Sequence, residues 1–397
     1  MVVKPTTPRE TADAATVRRT PVRLAVVLDL TFVGGAEILL LNLFRHLNPA
    51  VVAPRVICLR EAGDLAGDFH DAGFPVEVLD RTGRWDTHTL PRLVRSLRSH
   101  GTDAVLVVHH HRAALTLGRI AARLARVPAN VVAVHDMDTM HAGYRCLPRH
   151  VVRTLFLSHA MVLLAASQGE YLRREEGVGK APWSRTREVV IPNGISLPPP
   201  SDAERRAAAR IMLGLAPDAV VLGIVARLSP QKAHHVLMAA VARLAPSQPT
   251  LRLAVIGTGV RDGELRALAD RLGIADRVRF TGLRRDVPSL LPGLDVSCLS
   301  SVHEGAPISV IESMAAGVPV VATDCGALRD MVTDGEEGFI VPVGDIDALT
   351  NRLTRLIADP ALRADLGRRA RARAERSYRI EGTARGFEEL LTSLVPA

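Results

Sequence analysis

Two cations, Arg227 and Lys232, follow the apolar run Val220 to Ala226 and stand just before an apolar segment of helical period, His235 to Leu244. At a helix N-terminus the unpaired backbone N–H groups and the helix dipole already favour an anion, and two positive side chains strengthen that preference. A diphosphate suits the place, although the pair read alone could also be solvated loop cations. Further on, Glu304 and Glu312 belong to Ser300-Ser301-Val302-His303-Glu304-Gly305-Ala306-Pro307-Ile308-Ser309-Val310-Ile311-Glu312. Pro307 fits the first turn of a helix, and Ile308, Ile311 and Ala315 keep helical spacing. Glu304 is therefore expected in a strand-to-helix loop, with Glu312 about one turn into the helix. Gly305 permits close backbone approach, and the N–H groups of Ala306, Ile308 and Ser309 would face the same cleft as the two cations. Carboxylates suit sugar and ribose hydroxyls, while cations and free N–H groups suit phosphates.

Weaker signals sit elsewhere. Gly34-Gly35-Ala36-Glu37 follows the first apolar run and precedes a helical segment around Ile38 to Leu47, where a glycine pair lets the chain approach a ligand or simply makes a tight turn. His109, His110 and His111 follow the run Ala104 to Val108, and His135 with Asp136 follows Asn130 to Val134. Gly257-Thr-Gly259-Val-Arg-Asp-Gly263 also follows an apolar run, but its third glycine is one residue late for the dinucleotide fingerprint.

Thirteen short Val/Ile/Leu-rich runs must position these residues. Seven lie before residue 192: Val22 to Leu30, Arg55 to Leu59, Pro75 to Leu79, Ala104 to Val108, Asn130 to Val134, Met161 to Ala165 and Glu188 to Ile191. Six follow: Val220 to Ala226, Leu251 to Gly257, Val278 to Thr281, Val296 to Ser300, Val318 to Thr323 and Gly338 to Val341. Continuous apolarity marks strands buried on both faces, and alternation with helical segments marks parallel sheets covered by helices. The breaker cluster Pro-Asn-Gly-Ile-Ser-Leu-Pro-Pro-Pro at 192–200 separates the two series. Two doubly wound α/β domains would then face each other across a cleft, with ligands beyond the carboxyl ends of the strands.

Composition bounds the reading. The 397 residues allow about two domains, and 47% hydrophobic with 23% charged residues describes a folded chain. The longest apolar stretch, Thr154 to Ala166, falls short of the roughly 20 residues a membrane-spanning helix needs. Cys58, Cys146, Cys298 and Cys325 are too widely spaced for a zinc ribbon or a disulfide framework, which fits a reduced cytoplasmic setting. Residues 1–20 lack the apolar stretch of a secretory signal and read as a flexible tail. The net charge of +8 falls mostly on the first half, where Arg92, Arg95 and Arg98 share one helical face. That face could meet an anionic membrane or a phosphate-bearing acceptor, or could merely be solvated. Nucleic acid is set aside as a partner, since 3% aromatic residues provide no stacking platform.

Taken together, the motifs resemble family 4 of the retaining glycosyltransferases, whose GT-B fold has two facing Rossmann-like domains. The resemblance runs from about Val22 to the C-terminus. It is carried by Ala226-Arg227-Leu-Ser-Pro-Gln-Lys232, Phe280-Thr-Gly282-Leu, Glu304-x7-Glu312, Gly317-Val-Pro-Val-Val-Ala-Thr-Asp-Cys-Gly326 and the domain-entry motif Pro192-Asn193-Gly194. It implies an acceptor domain at 21–195, a nucleotide-sugar donor domain at 196–373, and a closing helix at 374–397 that crosses back to the first domain. By resemblance, Arg227 and Lys232 bind the donor diphosphate, Glu304 holds the transferred sugar, Glu312 holds the ribose, and the backbone near Leu283 meets the base. Gly305, Ala306, Pro307 and Ile308 complete the donor site, Gly34 and Gly35 approach the phosphates and sugar from the other domain, and His135 contacts the sugar and helps position the acceptor.

The resemblance further implies transfer with retention from a nucleotide-diphosphate donor, UDP-linked by preference, to a glycan, glycolipid or small-molecule hydroxyl. A front-face mechanism without metal or other cofactor is expected, in a cytoplasmic protein for which a peripheral place on the membrane's cytoplasmic face stays open. A nucleotide-sugar epimerase or hydrolase on the same fold, or a non-catalytic nucleotide-sugar-binding protein, are the competing readings. Ala233, Ala327 and Asp330 depart from the family's usual glycine, glycine and glutamate.

Overall fold

The computed structural model describes residues 20–31, 35–83, 86–135, 145–180 and 186–396. Each of the thirteen apolar runs forms a strand, and the strands divide into two sheets. The first contains β1 (Val22–Leu28), β2 (Val52–Cys58), β3 (Val76–Val78), β4 (Ala104–Val108), β5 (Ala129–Val134), β6 (Ala160–Leu163) and β7 (Arg187–Val190), in the order β3-β2-β1-β4-β5-β6-β7. The second contains β8 (Val220–Val225), β9 (Leu251–Ile256), β10 (Val278–Gly282), β11 (Val296–Leu299), β12 (Val320–Thr323) and β13 (Gly338–Val341), in the order β10-β9-β8-β11-β12-β13. All pairings within both sheets are parallel. The chain is thus an α/β protein of two Rossmann-like domains in the GT-B arrangement.

In each sheet the strand order reverses beside the first strand, between β1 and β4 in one and between β8 and β11 in the other. Such reversals open a crevice beyond the strand ends, because successive connections leave to opposite sides. Both crevices carry the charged segments singled out above. The runs are continuously apolar because helices cover both faces: β4 and β5 have no exposed residue along their length.

The domains are tied together behind the cleft. Ile195 N–H donates to Tyr378 O at 2.9 Å, and Ile380 N–H donates back to Ile195 O at 3.0 Å. Gly194 is required there, since a Cβ would lie 2.7 Å from Arg379 O. The final helix, Ile380–Leu394, buries Ile380, Ala384, Phe387, Leu390 and Leu391 in the same apolar cluster as β1 residues of the first domain. No helix among the described residues is long and apolar enough to cross a membrane. The four cysteines are buried free thiols.

Candidate active site

The second crevice is assembled by stitching the loop after β8 to the loop after β11. Val302 N–H donates to Gln231 O at 2.9 Å, Gln231 Nε2 to His303 O at 3.0 Å, and Ser300 Oγ to Lys232 O at 3.0 Å. Pro230–Lys232 form a single 3₁₀ turn, and Ala233 then takes a left-handed conformation (φ 43°) before the His234–Leu244 helix begins. This places Lys232 beside the buried Glu304, with Nζ 2.5 Å from Oε1. Ser301 Oγ donates to the same oxygen at 2.5 Å. Gly326 backs this arrangement, because a Cβ there would lie 2.1 Å from Glu304 O.

Three features of this crevice are unspent. Arg227 is exposed at the end of β8 and its guanidinium makes no hydrogen bond or ion pair among the described residues. Glu312, four residues into the Ile308–Ala315 helix, has no side-chain partner either, and burial pushes its carboxyl up to about 7. The N–H groups of Ala306, Ile308 and Ser309 make no bond among the described residues, while Pro307 occupies the position before the helix. Free N–H groups at a helix start, an open cation and an unpaired carboxylate all await a ligand. Glu312 and Ile308 line a pocket whose opposite wall is Ile38, Leu39 and Asn42 of the Gly35–His46 helix in the first domain. Leu283 stands 62% exposed just after β10, open to contact from outside the domain. His234 was not singled out by sequence; it is buried with neither ring nitrogen partnered, and burial together with the Lys232 charge pushes it down to about 4.

The first crevice differs. Gly34 and Asp136 lie outside the described residues, and Gly35 begins the Gly35–His46 helix. His135 follows β5, and its backbone N–H donates to His109 Nδ1 at 2.9 Å. Its imidazole is pushed down to about 4, chiefly by burial and then by the neighbouring His110 and His111. Glu37, buried, takes His110 Nε2 and His111 Nε2 on one oxygen, each at 3.0 Å. Burial alone would raise its pKa, but those two contacts hold it down to about 2. Asp29 N–H donates to His111 Nδ1 at 3.1 Å, while the Asp29 carboxylate accepts from Ala114 N–H at 2.9 Å at the start of the Arg112–Ala125 helix. Sequence reading missed Asp29 and Glu37; the only signal was an acid after a glycine pair and another at a strand end.

The basic face of the Thr89–Ser99 helix is partly committed within the fold. Arg92 pairs with Asp86 at 3.2 Å, and Arg98 donates to Leu124 O at 2.7 Å, while Arg95 is exposed. Two further contacts bridge the domains. Asn193 Nδ2 donates to Ala306 O at 3.1 Å, and Ser167 N–H donates to Asp330 Oδ2 at 3.3 Å.

Residues 206–373 match the family described as glycosyl transferases group 1, and residues 33–197 match glycosyltransferase family 4. A D-inositol 3-phosphate glycosyltransferase of Corynebacterium urealyticum is 31% identical over 318 residues, spanning 75% of this chain and 73% of the relative. The corresponding Streptomyces avermitilis enzyme is 37% identical over 202 residues, but the match spans only 44% of its length. Among solved structures, Anabaena Alr3699/HepE in complex with UDP superposes with a TM-score of 0.80 at 24% identity, over 94% of this chain and 100% of that one. The same protein with UDP-glucose gives a TM-score of 0.78.

Proposed function

The chain belongs to the group 1 glycosyltransferases of family 4, and from that premise we propose that it transfers a hexosyl unit from a UDP-linked donor to an acceptor hydroxyl with retention of configuration. The observation that carries the donor half is the exposed Arg227 guanidinium, which has no partner among the described residues, in the same β8-to-helix loop as Lys232, just before the His234–Leu244 helix. Two cations and a helix N-terminus neutralise charge as it develops on a departing diphosphate, which is where electrostatic stabilisation lowers a barrier most. Glu304, held by Lys232 and Ser301, accepts hydrogen bonds from the transferred sugar. Glu312 takes the ribose hydroxyls, which relieves its unpaired burial.

In the front-face course, the bond from the anomeric carbon to the diphosphate oxygen breaks as the acceptor oxygen bonds the same face. The acceptor's proton passes to the departing phosphate. Arg227 and Lys232 supply the positive charge, so this reading assigns no step to a metal. His135, kept neutral by burial, is assigned to the sugar and the acceptor. The acceptor's class is a glycan, glycolipid or small-molecule hydroxyl.

The reading includes a peripheral place on an anionic cytoplasmic membrane face. Its support is charge: between residues 89 and 126 Arg92, Arg95, Arg98, Arg112, Arg123 and Arg126 are at least partly exposed, while Arg119 and the single acid Asp103 are buried. Leu124 at 50% and Phe156 at 55% exposure add apolar contact. Vesicles containing anionic lipid should sediment the protein in a salt-sensitive way, and indifference to lipid charge would remove this part.

The donor assignment is tested by thermal shift with UDP, GDP, ADP and dTDP on the wild type and on Arg227→Ala. A ligand at 100 times its dissociation constant adds about 2.7 kcal/mol of apparent stability. UDP should stabilise the wild type and not the variant. Equal stabilisation of both would sink the assignment of Arg227 to the diphosphate.

A further inference from the structure

The stretch Gly305–Pro307, between β11 and the Ile308–Ala315 helix, gets little hold from the helix it enters. Pro307 has no N–H to donate, and no side chain caps the helix start. Gly305 and Ala306 are instead oriented from outside, each through its carbonyl. Gly305 O accepts from Ala327 N–H at 2.9 Å, a bond within the second domain. Ala306 O accepts from Asn193 Nδ2 at 3.1 Å, and Asn193 belongs to the junction between the domains. A peptide group is planar, so these two bonds fix two successive planes. The first plane also carries the Ala306 N–H, and the second sets the direction in which the chain starts the helix, with the open N–H groups of Ile308 and Ser309.

Asn193 is itself buried and firmly anchored. Before it, Ile191 N–H continues the first sheet by donating to Leu163 O at 2.8 Å, and Pro192 O accepts from Thr383 Oγ1 of the final helix at 2.8 Å. After it, Gly194 packs against Arg379, and Ile195 exchanges backbone bonds with Tyr378 and Ile380. The side chain thus reaches the donor loop from a backbone held on both flanks. The polarity of the contact is equally fixed, because a carbonyl only accepts and the amide must turn its NH₂ toward Ala306. A carbonyl engaged in this way is not free to turn toward an anion.

We propose that Asn193 is a positioning residue for the donor diphosphate: by holding Ala306 O from the domain junction, it presents the N–H groups of Ala306, Ile308 and Ser309 to the phosphates. The inference rests on the glycosyltransferase reading and deepens its donor half. Asn193 acts through the loop and touches no substrate. The nucleoside end of the donor is assigned to Glu312 and to the backbone near Leu283, neither of which Asn193 contacts. Its effect therefore belongs to ligands that carry phosphate, and a nucleoside without phosphate is indifferent to it.

The test uses the full-length chain and compares UDP with uridine, which keeps the nucleoside and lacks the phosphates. Asn193→Leu preserves the approximate size of the side chain and removes its donor. Calorimetric titration should show the UDP dissociation constant raised about tenfold, the order expected when one hydrogen bond at a binding loop is lost. Uridine, followed through its own NMR signals, should bind within about twofold of wild type. Asn193→Ser, whose hydroxyl is one bond shorter, should give the same split, and it carries the test if the leucine variant fails to fold. Ser167→Ala weakens the other bridge between the domains, to Asp330, and should leave both ligands unaffected. Unchanged UDP affinity in the Asn193 variants would overturn the proposal. Equal losses for UDP and uridine, or a matching loss in Ser167→Ala, would do the same, since either marks a general loosening of the junction. Failure of wild type to bind UDP would strike the donor reading itself, and is told apart because it appears before any variant is compared.

Discussion

The two crevices occupy matching places in two sheets of the same topology, yet they treat charge in opposite ways. Beyond β1 and β4, Glu37, Asp29, His109 and His111 satisfy one another or the backbone. Beyond β8 and β11, Arg227 and Glu312 have no side-chain partners among the described residues, while Glu304 is held by Lys232 and Ser301. A saturated network is stable and rigid; an unsaturated one stores free energy that a ligand releases on binding. The difference separates a wall whose polar groups are satisfied within the fold from one whose charged groups stay open to a ligand, which is where the proposed function puts the donor.

The largest break in that comparison should come from Arg227 and Lys232, the two cations proposed to hold the donor. Removing a group that stabilises developing charge costs about 10²- to 10³-fold in turnover. Lys232→Ala and Arg227→Ala should both show it in UDP-sugar turnover, but they should part in stability. Lys232→Ala leaves Glu304 buried and short of its cation, at a cost of about 1–3 kcal/mol. Arg227→Ala removes an exposed side chain without partners among the described residues and should leave the melting temperature unchanged. Equal destabilisation by both would mean that Arg227 is held by contacts like those of the first crevice.

Next in size are opposite responses to pH. The folded chain keeps the Glu312 proton up to about 7, against 4.5 for the ordinary group. The folded state then binds more protons than the unfolded chain between those values, so stability falls as pH rises through that window and levels above it. Glu312→Gln should therefore stabilise the ligand-free protein at pH 8 by about 1–3 kcal/mol and do little near pH 4, while UDP affinity drops about tenfold. Glu37 behaves inversely. Its folded pKa is depressed to about 2, so its contribution is present above 4.5 and is lost as pH falls toward 2. Glu37→Gln should lower the melting temperature at pH 7 and lose that effect near pH 2. Denaturation of both variants across pH checks the pair, and parallel profiles would erase the distinction between the crevices.

How far this contrast could be read from sequence follows from its length scale. The thirteen strands are legible because each is a local apolar run, and the Ile308–Ala315 helix because Pro307 and the isoleucine spacing announce it. The boundary of β1 was not: the run continues to Leu30, but the strand ends at Leu28 because Asp29 turns to cap the Arg112–Ala125 helix. The Glu37 contacts to His110 and His111 join residues 73 and 74 apart, and nothing local says that β1 lies beside β4. Lys232 and Glu304 are 72 apart and equally nonlocal. Their positions after apolar runs and before helices marked them as candidates and a known family's motifs gave them roles, whereas the Glu37 contacts had no such local signal.

The smallest expected effect tests whether the donor crevice is rigid before the donor binds. Ala233, where the family usually has glycine, is buried in a left-handed conformation at φ 43°. That conformation costs an L-residue about 1–2 kcal/mol, so Ala233→Gly relieves strain. Against this, the variant loses about 0.8 kcal/mol of methyl burial and about 0.5–1 kcal/mol of chain entropy. The contributions nearly cancel, and the melting temperature should move by less than about 2 °C. Affinity need not cancel with it, because a loosened turn must be ordered again around the diphosphate. An ordering cost of about 0.5–1 kcal/mol weakens UDP binding roughly two- to fivefold. Calorimetric titration of Ala233→Gly with UDP measures this directly. Unchanged or tighter binding would mean that the loop is ordered by the ligand in either case, and that the donor crevice owes its readiness to its unpaired charges rather than to a preset backbone.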